Sequence, residues 1–375
     1  MAGVRVLHVT DASSSGVLTA VTTIARQQSG DSRFTRVVFA YVPRPDSPSE
    51  GDIQALTGPG VEVEKWSNEV SVRRLVALAR TLFVRLRTET FDVVHLHSSR
   101  TGVLGRWVAM VTSHRGRSIY SPHAFAFAYS HWSRPRRLAL WALEFVGTIA
   151  GRRLVLNSAS EQRVARRAFP WARTAVLVNT VDVARLRQIE RLPDEPPWFA
   201  HVGRIAPAKA PDVFARVVNV VAERVPGARG CWLGDGDRTL FGELGEDLEV
   251  SGWLAPPQLH DRLASAAALL FTSRGEGMPM AVLEAQAMGI PVVASRVTGV
   301  VDLIDDGDNG LLGESVDDLA DALTRVLTDP ALAHDLSCRT ASSAERFDQS
   351  TTAQRSLSCY LSLVPALAQH VRAAR

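Results

Sequence analysis

The chain is poor in cysteine. Its 375 residues hold three, Cys231, Cys338 and Cys359, all far apart. That spacing carries no metal-ligand pattern, and a sparse, odd set suits reduced thiols in a cytoplasmic compartment. No clean apolar run approaches the ~18 residues that span a bilayer, so no transmembrane helix is expected. The opening "MAGVRVLHVTDASSSG" has one arginine and a short apolar stretch that runs into a polar loop, unlike a secretory signal. Internal repeats and low-complexity tracts do not occur. Acidic side chains are scarce in the first half. Residues 1–180 carry 24 basic against 12 acidic side chains, and residues 181–375 carry 18 against 27, behind a net charge of only +3. A basic half points to an anionic partner such as a membrane surface, a phosphorylated acceptor or nucleic acid. The excess is mostly arginine, which also fits the bias of a GC-rich genome.

What is present reads as ordinary globular protein, 46% apolar and 22% charged. The length suits two domains. Short apolar runs alternate with helical patterns. "VRVLHVT" (4–10), "RVVFAYV" (36–42), "FDVVHLHS" (91–98), "RSIYSPH" (117–123) and "RRLVLNS" (152–158) read as strands. The proline-rich "RLPDEPPW" (191–198) is the linker candidate. Alternation then restarts with "WFAHVGR" (198–204), "ARGCWLGD" (228–235), "AALLFTS" (267–273) and "IPVVASR" (290–296). Strand–helix alternation predicts two doubly wound α/β domains with parallel sheets, over 1–188 and 189–350. A last helix follows over 351–375. Ligands of such sheets bind beyond the carboxyl ends of the strands, which makes the cleft between two facing domains the default site.

"GEGMPMAVLEA" (275–285) holds two carboxylates, Glu276 before a predicted helix and Glu284 inside it. Eight residues of unbroken helix would part them by ~12 Å. Two carboxylates working on one glycosidic bond sit about 5–9.5 Å apart. The spacing therefore favours two contacts along one extended ligand, with the helix amides near Pro279 meeting an anion between them. A loop glutamate and a solvated helix glutamate fit the same letters.

The segment "SRGEGMPMAVLEAQAMGIPVVAS" resembles the donor-sugar motif of retaining GT-B glycosyltransferases, in particular glycosyltransferase family 4. "TGVVDLIDDGDNGLL" (298–312) continues the likeness, with Asp302 where the family usually has glutamate. "HVGRIAPAKAPD" (201–212) resembles the family's G-R-x-x-x-x-K-G segment and supplies Arg204 and Lys209, with Ala210 in place of the common glycine. The resemblance implies that these two cations hold the diphosphate, as charge at a strand end suits. It implies that Glu276 holds sugar hydroxyls and Glu284 the ribose, with Gly277, Met278 and Met280 on the donor. It also implies base contacts at Trp253 and Leu254, where core packing is an equal reading. In the first half, Gly16 of "DASSSGVLTA" matches a loop that closes over the donor phosphate, and His123 of "YSPHAFAF" matches a histidine lining the sugar site. His97 and Arg100 are candidates for the acceptor side. "GDGD" (234–237) spells the D-x-D of metal-dependent GT-A enzymes but reads as turn chemistry here. Its two glycines lack the third of a dinucleotide fingerprint.

The resemblance thus implies a GT-B fold of two Rossmann-like domains, with the last helix crossing back to the first. It implies transfer from a nucleoside diphosphate sugar to an acceptor hydroxyl, with no metal and no other cofactor. Cell-surface glycan, glycolipid or glycosylated-metabolite biosynthesis is the setting. The partners expected are the donor sugar and an acceptor that includes lipid-linked species, and nucleic acid is not expected. Two arginine-rich helices, 71–89 and 133–153, fit either packed domain helices or peripheral contact with an anionic membrane from the cytoplasmic side. A GT-B sugar-nucleotide epimerase and a non-catalytic sugar-nucleotide-binding protein are the competing readings.

Overall fold

A strand at the centre of a parallel sheet is covered on both faces, so it must be apolar almost throughout. β1 (Val4–Thr10, VRVLHVT) follows this rule, with Arg5 its one residue that is not buried. The computed structural model describes residues 3–66, 73–242 and 245–368. The chain forms two compact units.

The first unit comprises the chain up to Ala128, Trp132–Thr180, and the chain from Gln349 onward. Its sheet contains β1, β2 (Phe34–Tyr41), β3 (Glu62–Lys65), β4 (Val93–His97), β5 (Ser118–Ser121), β6 (Arg153–Leu156) and β7 (Arg173–Val176). They lie in the order β3-β2-β1-β4-β5-β6-β7, and every pairing is parallel. One face packs Val4, Val6 and Phe39 against the helices Ser15–Ser29 and Thr352–Leu363. The other packs Leu7, Val9 and Leu96 against Leu78, Leu82 and Leu86 of the helix Arg73–Thr88. That arginine-rich helix is thus a packed helix, and Arg85 is paired with Glu64 at 2.8 Å. Residues 71 and 72 of the predicted helix, and the Arg74 side chain, lie outside what is described.

The second unit comprises Tyr129–His131 and Val181–Asp348. Its sheet contains β8 (Trp198–Val202), β9 (Arg229–Leu233), β10 (Leu248–Gly252), β11 (Ala268–Phe271), β12 (Val292–Ser295) and β13 (Leu311–Gly313). Their order is β10-β9-β8-β11-β12-β13, with parallel pairings. The units part at Thr180/Val181, so the proline-rich 191–198 lies inside the second one. The reason is local: Val181 N donates to Phe347 O at 3.0 Å and Val183 N to Asp348 Oδ2 at 3.2 Å, which knits the segment to the unit's far end. In each sheet the strand order reverses at one point, between β1 and β4 and between β8 and β11. The crevice beyond the carboxyl ends at such a point is where open α/β sheets bind ligands.

Candidate active site

β8 ends at Val202, and the chain turns through Gly203 and Arg204 into a single 3-10 turn, Pro207–Lys209. Arg204 is exposed. Lys209 reaches back to Glu276, with Nζ 2.6 Å from Oε1, and lies 5.1 Å over the Phe271 ring. The Lys209 side chain is 25% exposed and that of Glu276 14%. Ala210 follows in the left-handed conformation, φ +52°, and begins the helix Pro211–Arg224. Only glycine adopts that geometry without cost, which explains the family's usual residue there.

Arg274, which the sequence did not single out, clamps the two loops together. Its backbone N donates to Ala208 O at 2.8 Å and its Nη1 to Pro207 O at 2.7 Å. Its Nη2 holds both oxygens of Asp212, at 2.7 and 2.6 Å. Read as sequence, it is one more surface arginine; its partners lie 62 or more residues away.

Glu276 lies between Gly275 and Gly277, with its N bonded to Thr298 O at 3.1 Å. Gly299 has φ +82°, and a Cβ there would sit 2.6 Å from Glu276 O and 2.7 Å from Gly277 O. Met278, in the loop, and Met280, at the helix start, are buried. The helix covers Met280–Ala287, with Pro279 as its N-cap and no side chain capping its first turn. Only the second half of the interval from Glu276 to Glu284 is therefore helical, and the length estimated for unbroken helix does not apply. Glu284 Oε2 lies 3.7 Å from His260 Nε2, and His260 Nδ1 lies 3.2 Å from Arg185 Nη2. Arg185 can only donate, so His260 carries its proton on Nε2, toward the carboxylate. Trp253 is 72% exposed and is not a core residue, while Leu254 is half-buried. Asp302 is half-buried just past the Gly299 turn.

The D-x-D letters are turn chemistry. Asp235 Oδ1 accepts from Gly236 N at 2.9 Å, and Asp237 Oδ1 caps Thr239 N at 3.1 Å. The glycines permit close approach: a Cβ on Gly234 would sit 2.1 Å from Gly203 O.

In the first unit, the helix Ser15–Ser29 starts one residue before Gly16, so Gly16 lies exposed in its first turn rather than in a free loop. The preceding serines are engaged: Ser13 Oγ donates to Val42 O at 2.9 Å and Ser14 Oγ to Asp46 Oδ2 at 2.9 Å. Arg100 is exposed at the start of the helix Ser99–Val111, 3.8 Å from Asp11. His97 corrects an expectation. It is fully buried, with Nε2 3.0 Å from His8 Nδ1 and Nδ1 3.0 Å from His123 Nε2, so it does not face an acceptor. The cause is its place as the last residue of a central strand, with Thr10 beside it in register. His123 is half-buried at φ +56°, a conformation sparsely populated by residues other than glycine. Ala124 N, bonded to Glu161 Oε1 at 2.8 Å, pins it. Burial pushes the His123 pKa down to about 4. Among the described residues, one group of side chains has metal-ligand proximity, His8, His95 and His97.

Two parallel-sheet units of this topology recur in solved structures. An Anabaena protein, HepE, solved with UDP and glucose superposes with a TM-score of 0.72, at 17% identity over 95% of this chain and 98% of that one. Sucrose-phosphate synthase from Thermosynechococcus elongatus gives 0.79, at 17% identity over 99% and 100%. These likenesses, with the two sheets, define the GT-B fold. Sequence supplies the family. Residues 14–185 match the model described as Glycosyltransferase Family 4, and residues 196–329 that described as Glycosyl transferases group 1. The D-inositol 3-phosphate glycosyltransferase of Actinosynnema mirum is 30% identical over 92% of this chain and 90% of its own. The UDP-Gal:alpha-D-GlcNAc-diphosphoundecaprenol alpha-1,3-galactosyltransferase of Escherichia coli is 26% identical over 67% and 70%. The chain belongs to glycosyltransferase family 4 and is a glycosyltransferase.

Proposed function

We propose that the protein transfers a sugar from a nucleoside diphosphate sugar to an acceptor hydroxyl with retention at the anomeric carbon. The observation that carries this reading is the Lys209–Glu276 pair at the ends of β8 and β11, held by the Arg274 clamp. An ammonium has three donors. Lys209 spends one on Glu276 and keeps the others for the diphosphate. Glu276 keeps its second oxygen for a sugar hydroxyl. The bond from the anomeric carbon to the donor phosphate oxygen breaks, and a bond to the acceptor oxygen forms on the same face. The acceptor proton passes to an oxygen of the leaving diphosphate. Lys209 and Arg204 stabilise the charge gathering there, the work that a metal does in other transferases. The uncapped amides at Met280 add their dipole, with Gly277 and Met278 shaping the loop. Glu284 takes the ribose, Trp253 and Leu254 the base, His123 a sugar hydroxyl, and Gly16 the donor phosphate.

Uridine diphosphate sugars are the first donors to test, since UDP appears in the names of the E. coli relative and the Anabaena complex. The relatives' names also contain phosphorylated acceptors, inositol 3-phosphate and a diphosphoundecaprenol. A basic first unit with exposed Arg100 suits such acceptors. The helix Arg134–Ala150 supports a lipid-linked one. Leu138, Val146 and Ile149 are 65%, 42% and 48% exposed along one face, next to exposed Arg134, Arg136 and Arg137. An apolar stripe beside arginines is the composition of a peripheral membrane helix. No helix among the described residues is long and apolar enough to cross a membrane.

The test is turnover over a panel of UDP, GDP, ADP and TDP sugars, for the unmodified chain and Lys209→Ala. The variant is expected to keep its circular dichroism and lose at least about 100-fold in kcat, as loss of a charge-stabilising group does. Near-normal turnover would remove Lys209 from the diphosphate. A new sugar nucleotide formed without acceptor would make the protein an epimerase.

A further inference from the structure

The hydrogen bonds running inward from His123 have a direction, and the C-terminal helix sets it. Ser356 Oγ donates to Ala353 O at 2.9 Å, so toward Gln28 it presents lone pairs only. Gln28 therefore turns its amide nitrogen to Ser356 Oγ and Tyr360 OH, each at 3.0 Å, and its Oε1 to His8 Nε2 at 2.8 Å. An amide oxygen only accepts, so the His8 proton is on Nε2. His8 Nδ1 is then a lone pair and accepts a hydrogen bond from His97 Nε2–H at 3.0 Å. His97 Nδ1 in turn accepts a hydrogen bond from His123 Nε2–H at 3.0 Å. A neutral imidazole has one proton, so the choice made at Gln28 passes through three rings. A side branch obeys the same logic: Tyr360 OH donates to His95 Nδ1 at 3.0 Å, and His95 Nε2 donates to Ser121 Oγ at 2.8 Å.

Burial keeps the rings neutral, pushing His8 down to about 4 and His95 and His97 well below the usual histidine range. His8, His95 and His97 stand close enough to share a metal, but the lone pairs a metal would need are already taken by Nε2–H and O–H donors.

We infer that this relay locks His123 as the Nε2–H tautomer, so that its ring meets the donor sugar with a lone pair at Nδ1 and accepts a hydrogen bond from a sugar hydroxyl. The inference rests on the proposed placement of His123 at the sugar. Gln28, His8, His97 and Ser356 are then positioning residues that act through His123, and a helix distant in sequence dictates which hydrogen-bond role the site presents. The opposite tautomer would offer N–H at the same place and select a different orientation of the hydroxyl.

The test is nitrogen NMR of the full chain labelled with 15N-histidine at neutral pH, with the His123 signals assigned by their loss in His123→Gln. A single Nε2–H tautomer at His123 is expected, and a protonated Nδ1 or a mixture of tautomers overturns the relay. In Gln28→Leu, which lacks the directing oxygen, the His123 tautomers are expected to mix. Its kcat is expected to fall about tenfold with the acceptor KM unchanged, a hydrogen bond's worth of transition-state contact. Mixed tautomers with unchanged kcat in Gln28→Leu overturn the positioning role. A normal kcat in His123→Ala beside the expected tautomer in the unmodified chain would instead overturn the placement of His123 at the sugar.

Discussion

Glu284 and Glu276 are eight positions apart in the sequence and have unrelated partners. Glu284 is oriented by His260, itself oriented by Arg185, whereas Glu276 is held by Lys209. If Glu284 receives the ribose hydroxyls, losing it removes charge-assisted hydrogen bonds worth about 1.5–3 kcal/mol. Glu284→Ala is therefore expected to weaken UDP binding about 10- to 100-fold by calorimetry. His260→Ala should weaken it less, because it loosens the carboxylate without removing it. Unchanged affinity in Glu284→Ala would end the ribose assignment. The carboxylates and the cations were legible as letters at characteristic spacings, whereas the exposure of Trp253 was not, since core packing fitted it equally. Arg274 and His260 were not, since each gains its meaning from partners brought in by the fold.

The strands read directly from the sequence are the inner ones. β3, β7, β10 and β13 went unread, and each lies at an outer edge of its sheet. The physical reason is coverage: an edge strand has fewer neighbours and needs no continuous apolar run. β3 is EVEK and β7 is RTAV, both exposed at their two ends, and β13 is three residues long. The helix Arg134–Ala150 was readable as apolar with arginines, but which face stays exposed depends on its packing against the helix Ser99–Val111 through the buried Arg106–Glu144 pair. The Glu276 loop is likewise shaped by a neighbouring turn. Gly299→Ala must relieve a positive φ and two carbonyl contacts below 3 Å, at a cost of about 1–3 kcal/mol. The loop is the part free to move, so turnover is expected to fall at least about tenfold while the melting temperature drops by only a few degrees. Unchanged kcat would show that the turn does not set the loop.

The first unit links three buried histidines, His8, His95 and His97, with the half-buried His123, and this makes the stability of the protein sensitive to acid. For His8 and His123 the folded pKa, about 4, lies below the unfolded value near 6.5. The unfolded chain then binds more protons as pH falls, so the stabilisation from these rings is complete above about pH 6.5 and is lost progressively down to about pH 4. Between pH 7 and pH 5 the loss is about 2 kcal/mol for each of these two rings, with His95 and His97 acting in the same direction. Thermal unfolding followed against pH should show a steep fall over this window, and His8→Asn should flatten it. A melting temperature constant from pH 7 to pH 5 would contradict the neutral relay.

The amino-acid order was sufficient for the class of fold and the family, because strand, loop and helix starts are written in neighbouring residues and a motif is a local object. It also put Arg204 and Lys209 in the segment after β8, Glu276 in the loop after β11 and Glu284 in the helix that follows, which is where the fold has them. The pairings were settled only by folding. Lys209 meets Glu276 across 67 positions, His8 meets His97 across 89, and Gln28 meets Tyr360 across 332. Such contacts leave no periodic trace along the chain. They exist because parallel sheets bring the ends of distant strands together, and burial then favours a partner for a polar group found there.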